Sequence, residues 1–394
     1  MKSFLPFLLL YPFINLAQWA GIKSGTDYPI TTLETYKNKL YAGGYFTGAG
    51  GVSATYIACW NDTVWNSVGG GANTSVRGLH TFAGNLIVSG AFSTVGSTPA
   101  SKIAQWNGTT WSSLGAGTTN GSAIGSLISD PSNLYVGGDF SIINGVPANS
   151  IARWNGSIWT PLGLGVNNSV YALAMYGGEL YAAGAFTIAG SVGASHIARW
   201  NGSSWFPLGV GVNANVYALE VYGGELYVGG FFTAAGGSPA KQIAKWNGST
   251  WSTVGPGTNA DVNTLKTIGG DLYVGGNFNM IGTSYWPFIA KWNGSSWSDA
   301  GSVLGNQFDL SVDALGSYNG RAYAAGRFSA IGADTSANRI AKSTIPLGIN
   351  FKTTKNFSVD VYPNPFSDRI DIAVQGPSAV NLSYTIYNAL GQVM

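Results

Sequence analysis

The stretch WFPLGVGVNANVYALEVYGGELYVGGFFTAAGGSPAKQIAKWNGST, residues 205–250, holds four short apolar runs separated by turn residues. Trp205–Leu208 leaves into a Gly-rich loop, and Val216–Tyr222 stops at Gly223-Gly224. Glu225–Phe232 follows, then a connection, then Gln242–Trp246, Asn247-Gly248 and the next run at Trp251. Each run is short, rich in β-branched and aromatic residues, and bounded by turn formers, which reads as a strand. Four such strands are enough for one antiparallel blade.

Outward from this unit the pattern repeats. Trp60, Trp106, Trp154, Trp200, Trp246 and Trp292 recur at gaps of 46, 48, 46, 46 and 46 residues, and each is followed five residues later by a second Trp. Phe46, Phe92, Phe140, Phe186, Phe232, Phe278 and Phe328 mark seven copies. A period of this length with strands inside each unit signals a repeat architecture. The Asn-Gly dipeptides at 107, 155, 201, 247 and 293 predict type I′ hairpins, as do Gly177-Gly178, Gly223-Gly224 and Gly269-Gly270. The glycine pairs at 43–44, 137–138, 229–230 and 275–276 lie inside a strand, so they predict a bulge or a close approach by the neighbouring sheet.

The ends of the repeat predict closure. Trp19 precedes Leu40 by the 21 residues that separate Trp205 from Leu226, so it stands where an outer strand belongs. The seventh copy runs through Val312–Leu315, Ala322–Phe328 and Arg339–Ala341 without a final Trp strand. The expected fold is therefore all-β: a seven-bladed propeller of four-stranded blades whose last blade is completed by the N-terminal strand. An open β-solenoid is the alternative. Trp19, Trp60, Trp106, Trp154, Trp200, Trp246 and Trp292 are expected to fill the wedges between blades.

Composition agrees. Gly makes up 57 of 394 residues, roughly twice the usual share, charged residues are 9%, and aromatics number 52. The net charge of +2 and the absence of a basic stripe exclude an electrostatic basis for nucleic-acid binding. Cys59 stands alone, so no intrachain disulfide forms, and no later apolar run reaches the length of a membrane helix. Met1-Lys2-Ser3 followed by Phe4–Ile14 reads as a secretory signal ending near Ala17.

The glycine doublet followed by an aromatic and an outer Trp resembles kelch-type repeats. The Gly-Gly-x-Phe and Ile-Ala-x-Trp-Asn-Gly pattern over residues 19–345 is similar to that of secreted bacterial propellers, distantly related to the cortical cell-polarity marker family. Such families consist mainly of surface or interaction proteins. Further on, Tyr362-Pro363-Asn364-Pro365-Phe366 and the Ile386–Gln392 segment containing Gly391 resemble the type A C-terminal sorting domain of type IX secretion in Bacteroidetes. The resemblance implies a small β-sandwich that engages the type IX secretion machinery for export and often surface attachment. Members of that family continue through further strands, so a partial domain is expected here. The expected organisation is a signal peptide at 1–17, the propeller at 18–345, a linker at 346–356 and the sorting domain at 357–394.

Catalytic signatures are sparse. No His-Glu-x-x-His, Gly-x-Ser-x-Gly, Walker A loop or paired-cysteine spacing occurs. His80 and His196 occupy dissimilar positions, and Glu179, Glu225 and Asp271 recur at one hairpin as turn chemistry. The Lys or Arg before Trp154, Trp200, Trp246 and Trp292 is expected to carry its charge to the rim. Neither a metal nor a cofactor is expected. The longer connections share one face, where functional loops would sit on the rigid frame. There Asn73, Asn120, Asn168, Asn213 and Asn259 form a candidate polar ring, and Tyr45, Asp139, Phe231 and Asn277 vary just before the strand Phe. The expected function is a secreted or cell-surface module that binds a glycan or a surface protein. A glycan-active hydrolase or lyase and a structural surface-assembly component are the alternatives.

Overall fold

Gly223 and Gly224 have φ of 57° and 79°, the left-handed pair that a two-residue type I′ turn demands, and they join Tyr222 to Glu225 across a tight hairpin. The same geometry recurs at Gly177-Gly178 and, without a glycine pair, at Lys37-Asn38. The Asn-Gly hairpins differ from expectation. Only the glycine is left-handed, and the loop spans the four residues between Trp246 and Trp251. Asn247 Oδ1 instead accepts the N–H groups of Ser249 and Thr250 at 3.0 and 2.9 Å, an Asx turn that fixes the loop through the side chain.

The computed structural model describes residues 19–118, 120–301, 308–332 and 334–344, together with the strands Ser358–Tyr362 and Asp371–Gln375. Seven four-stranded antiparallel sheets form the propeller. In each, an inner strand of seven residues pairs with a second, a third and a short outer strand; in the fifth blade these are Val216–Tyr222, Glu225–Gly230, Ile243–Trp246 and Trp251–Thr253. The inner strands touch in a closed cycle, the last (Val312–Tyr318) returning to the first (Ile30–Tyr36). The seventh blade takes its outer strand from Trp19–Gly21, with Trp19 opposite Ser343 and Gly21 opposite Ala341. The ring is closed, as the offset of Trp19 predicts, and the solenoid is excluded.

The core is distributed over seven wedges, each shared by two blades. In one, Ala172, Ala174 and Tyr181 of the fourth blade pack on Val216, Leu219, Phe232 and Trp246 of the fifth. Blades approach so closely because of the first glycine of the strand pair: a Cβ on Gly229 would stand 2.5 Å from Val262 Cγ1 of the next blade. The second glycine serves the other expected role. A Cβ on Gly230 would lie 2.2 Å from the Asn215 carbonyl, beside a bulge that displaces the inner strand.

Indoles fasten the wedges. Each third-strand Trp in six blades stacks on its outer-strand Trp with centroids 4.9–5.5 Å apart. The outer Trp then donates its Nε1–H to a carbonyl just past the outer strand of the preceding blade. Trp65, Trp111, Trp159, Trp205, Trp251, Trp297 and Trp19 reach Ile22, Gly69, Leu114, Leu162, Leu208, Val254 and Ala300 in turn. Trp19 lacks a third-strand Trp partner and meets Phe308 edge-on at 5.6 Å.

Beyond the propeller, Ser358–Tyr362 pairs antiparallel with Asp371–Gln375. The signal segment 1–17, the linker 346–356 and the sorting-motif residues Pro363, Asn364, Pro365, Phe366 and Gly391 lie outside the described residues.

Candidate functional site

Each connection between second and third strands forms a small hairpin, and each interblade loop bridges to one of them, for example Val212 to Ala235. A short polar side chain clamps every such junction. Asn213 Oδ1 accepts the N–H groups of Thr233 and Ala234 at 2.8 and 2.9 Å, and its Nδ2 donates to Thr233 Oγ1. Asn73, Asn120 and Asn259 repeat the arrangement. Asp27 and Asp309 fill the same position in the first and seventh blades. Burial works to raise their pKa values, but the donated hydrogen bonds outweigh it and hold both carboxyls below their usual range. In the fourth blade the clamp is Asn167, while Asn168 bonds the N–H of Ser169 at 2.8 Å. The amides of this ring are thus engaged in the frame.

A second ring lies at the mouth of the central channel. In every blade the pairing of inner and second strands skips one residue. The skipped residues are Thr31, Arg77, Gly125, Tyr171, Tyr217, Asn263 and Asp313. A bulge re-aims the side chain it carries, and here six of the seven bulges carry one, the third holding Gly125. The residue before each is always Ile or Val, whereas the bulged residue changes in chemistry around the ring. Tyr171 and Tyr217 have ring centroids 5.9 Å apart. On the next two blades, Asn263 Nδ2 donates to Asp313 Oδ1 at 2.8 Å, and Arg327 pairs with Asp313 at 3.3 Å. The mouth is therefore aromatic on the fourth and fifth blades and polar on the sixth and seventh. The sequence carried a readable signal for this ring: a variable residue directly after an invariant β-branched one in each copy.

The residues that vary before the strand Phe edge the same mouth. Phe231 and Tyr45 are 56% and 44% exposed. Asn277 Nδ2 reaches Asp261 at 3.4 Å. Asp139 is exposed and accepts the Ser122 hydroxyl at 2.6 Å. Asn120, Asp139 and Asn168 come together, lining a groove of about 610 Å³ between the third and fourth blades with Asn149, Leu164 and Ile188. Asn73, Asn213, Asn259, Phe231 and Asn277 belong to other sectors.

Further along the inner strands lie two more titratable groups, Glu34 and His80. Glu34 accepts the Thr81 N–H at 3.2 Å, and burial raises its pKa against the opposing charge of Lys266. His80 bonds Ser129 Oγ at 2.8 Å; burial, aided by Lys266, pushes its pKa down to about 4. On the flank of the blades, Glu179 meets Arg199 and Glu225 meets Lys245, both at 2.6 Å, while Asp271 meets Lys291 at 3.5 Å. The three recurrent acids, expected to face solvent, are partners of the bases before Trp200, Trp246 and Trp292 across neighbouring strands, while Arg153 donates to Thr160 Oγ1 at 3.2 Å. Among the described residues no three His, Cys, Asp or Glu side chains converge as a metal site.

Solved structures similar to this chain include a propeller. The WD40 beta propeller domain of Doa1 has 12% identity and a TM-score of 0.53, with 81% of this chain and 93% of that one covered. The computationally designed Ika8 protein has 14% identity and a TM-score of 0.50, with 85% and 93% covered. At such identities the likeness concerns the fold alone. No curated protein matches the chain. Residues 360–394 match the secretion system C-terminal sorting domain. With the ring geometry and this match together, the chain is a seven-bladed β-propeller followed by a sorting domain that marks it for export.

Proposed function

We propose that the protein is a kelch-like propeller, exported by the type IX route to the cell surface or beyond, that binds a glycan at the channel mouth. The observation that carries this reading is the bulge ring. The repeat holds the backbone constant there, yet the seven copies carry six different residue types, with only Tyr used twice, and a packing role would have favoured one residue type. Tyrosines offer flat, amphipathic area at low entropic cost, and the Asn263–Asp313–Arg327 set offers fixed donors and acceptors. Asn73, Asn120, Asn213 and Asn259 support the site from below by holding its loops, and Asp139, Asn168, Phe231 and Asn277 supply its edge.

A glycan array probed with the intact chain tests the reading. Selective binding that drops in Tyr171→Ala and Tyr217→Ala is the expected result. Binding to surface proteins with no glycan bound would replace it with the protein-partner reading. Release of shorter saccharides from a bound glycan would make the protein an enzyme.

A further inference from the structure

Gly125 is the one glycine in the bulge ring. Its backbone lies outside the left-handed region, so its conformation does not require glycine. A Cβ built on it would have no heavy atom beyond those of its two chain neighbours within 4 Å, so close packing does not require glycine either. The two glycines of the strand it pairs with behave differently, since Gly137 and Gly138 would put a Cβ 2.5 Å from Val170 and 2.3 Å from the Ala123 carbonyl. What Gly125 provides is room.

The notch has distinct neighbours. On one side, in the second blade, the Arg77 side chain is exposed and has no ion pair among the described residues. On the other side stands the Tyr171–Tyr217 pair. At the outer edge, Asp139 pairs in register with Ala123, two residues before Gly125, and its Oδ2 is held by Ser122. Asp139 also ends the groove that runs outward between the third and fourth blades.

We propose that the Gly125 notch is the primary saccharide seat and that it takes a neutral pyranose. This inference rests on the glycan-binding reading above. One guanidinium and one carboxylate, neither in an ion pair among the described residues, give a seat with no net charge. The guanidinium donates to sugar oxygens, the carboxylate accepts from sugar hydroxyls, and the tyrosines cover the C–H face of the ring. An acidic sugar would meet repulsion from Asp139 beside the attraction of Arg77, so its charge gains no net attraction from the seat. Further sugar units extend along the groove past Asp139 toward Leu164 and Ile188.

The test compares the intact chain with Gly125→Leu, Gly125→Ser and Arg77→Gln, using neutral hexose oligosaccharides and their uronate counterparts of equal length in calorimetry. Filling the notch with Leu should reduce affinity for the neutral series by about tenfold or more, as excluded atoms do in a shaped pocket, with the thermal midpoint unchanged. Gly125→Ser is the smaller intrusion and reads the same loss should the Leu variant fold poorly. Wild-type binding that survives both Gly125 variants would remove the seat while leaving glycan binding intact. Tighter binding of the uronates would overturn the neutral-ligand assignment, and a wild type that binds no saccharide would overturn both readings.

Discussion

Asn213 and its equivalents do work that their exposure conceals. Each amide satisfies two loop N–H groups that would otherwise turn to water, so Asn213→Ala should cost about 1 kcal/mol in urea unfolding. Asn213→Asp should retain most of that near neutral pH, because Asp27 and Asp309 hold the same position as carboxylates. Those two carboxyls lie below their ordinary range, so their contribution is complete above about pH 4 and declines as pH falls through their folded pKa values. His80 acts at higher pH. The unfolded chain protonates it near pH 6.5, roughly its ordinary value, while the folded chain resists until about 4. Stability should therefore fall between those values, by on the order of 3 kcal/mol. Glu34 opposes this trend: its raised pKa lets the folded state take a proton first, a gain as pH drops. His80→Gln isolates the histidine. Urea midpoints at pH 7 and 4.5 should differ less in the variant than in the wild type, and an equal difference would refute the role of burial.

The strand pair and its bulge show where local reading succeeds and fails. The double glycine was legible as a close approach or a bulge because glycine weakens a strand unless another backbone or side chain needs the space. The two turned out to divide those roles between Gly229 and Gly230. The bulge residue itself was invisible to counting in twos, since in six of the seven blades the extra residue shifts the phase without a Gly or Pro to mark it. The Asn clamps were visible as residues but not as clamps, because their partners lie about 20 positions away. The Asn-Gly turns depart from type I′ for a related reason: the Asn side chain, not its φ, makes the turn. Two substitutions test the element-level account. Gly229→Ala should destabilise by about 1–3 kcal/mol through overpacking, and adding Val262→Ala should recover part of that, the non-additivity expected of residues in contact. Trp205→Phe keeps a ring in the wedge but orphans the Leu162 carbonyl that its indole holds at 2.8 Å. A loss of about 1–2 kcal/mol by urea denaturation is expected, against about 3–5 for Trp205→Ala.

At the scale of the molecule, seven wedges of similar construction mean that no blade is a centre, and stability depends on the ring being shut. Closure was legible because Trp19 keeps the spacing of an outer strand with no blade before it. Its detailed form was not, since Ser343 stands where the other third strands carry Trp and Phe308 supplies the missing ring contact. Trp19–Gly21 does three things at once: it covers the edge of Ile340–Ser343, buries an indole against Phe308, and latches that indole to Ala300. Removing these residues should expose a strand edge inviting self-association and remove a buried Trp contributing about 3–5 kcal/mol. In an open solenoid the same deletion would trim only one end. In this ring it frees the first and seventh blades from each other, so the urea midpoint of the whole propeller should fall in a single transition, with dimers on size exclusion. Trp19 lies directly opposite Ser343, just as Trp251 lies opposite Trp246 across a four-residue turn. A chain with Trp-Ala-Gly placed after Ser343 on an Asn-Gly-Ser-Thr turn should therefore regain the midpoint. An unchanged midpoint in the deletion would show that the side-chain wedges close the ring without the strand.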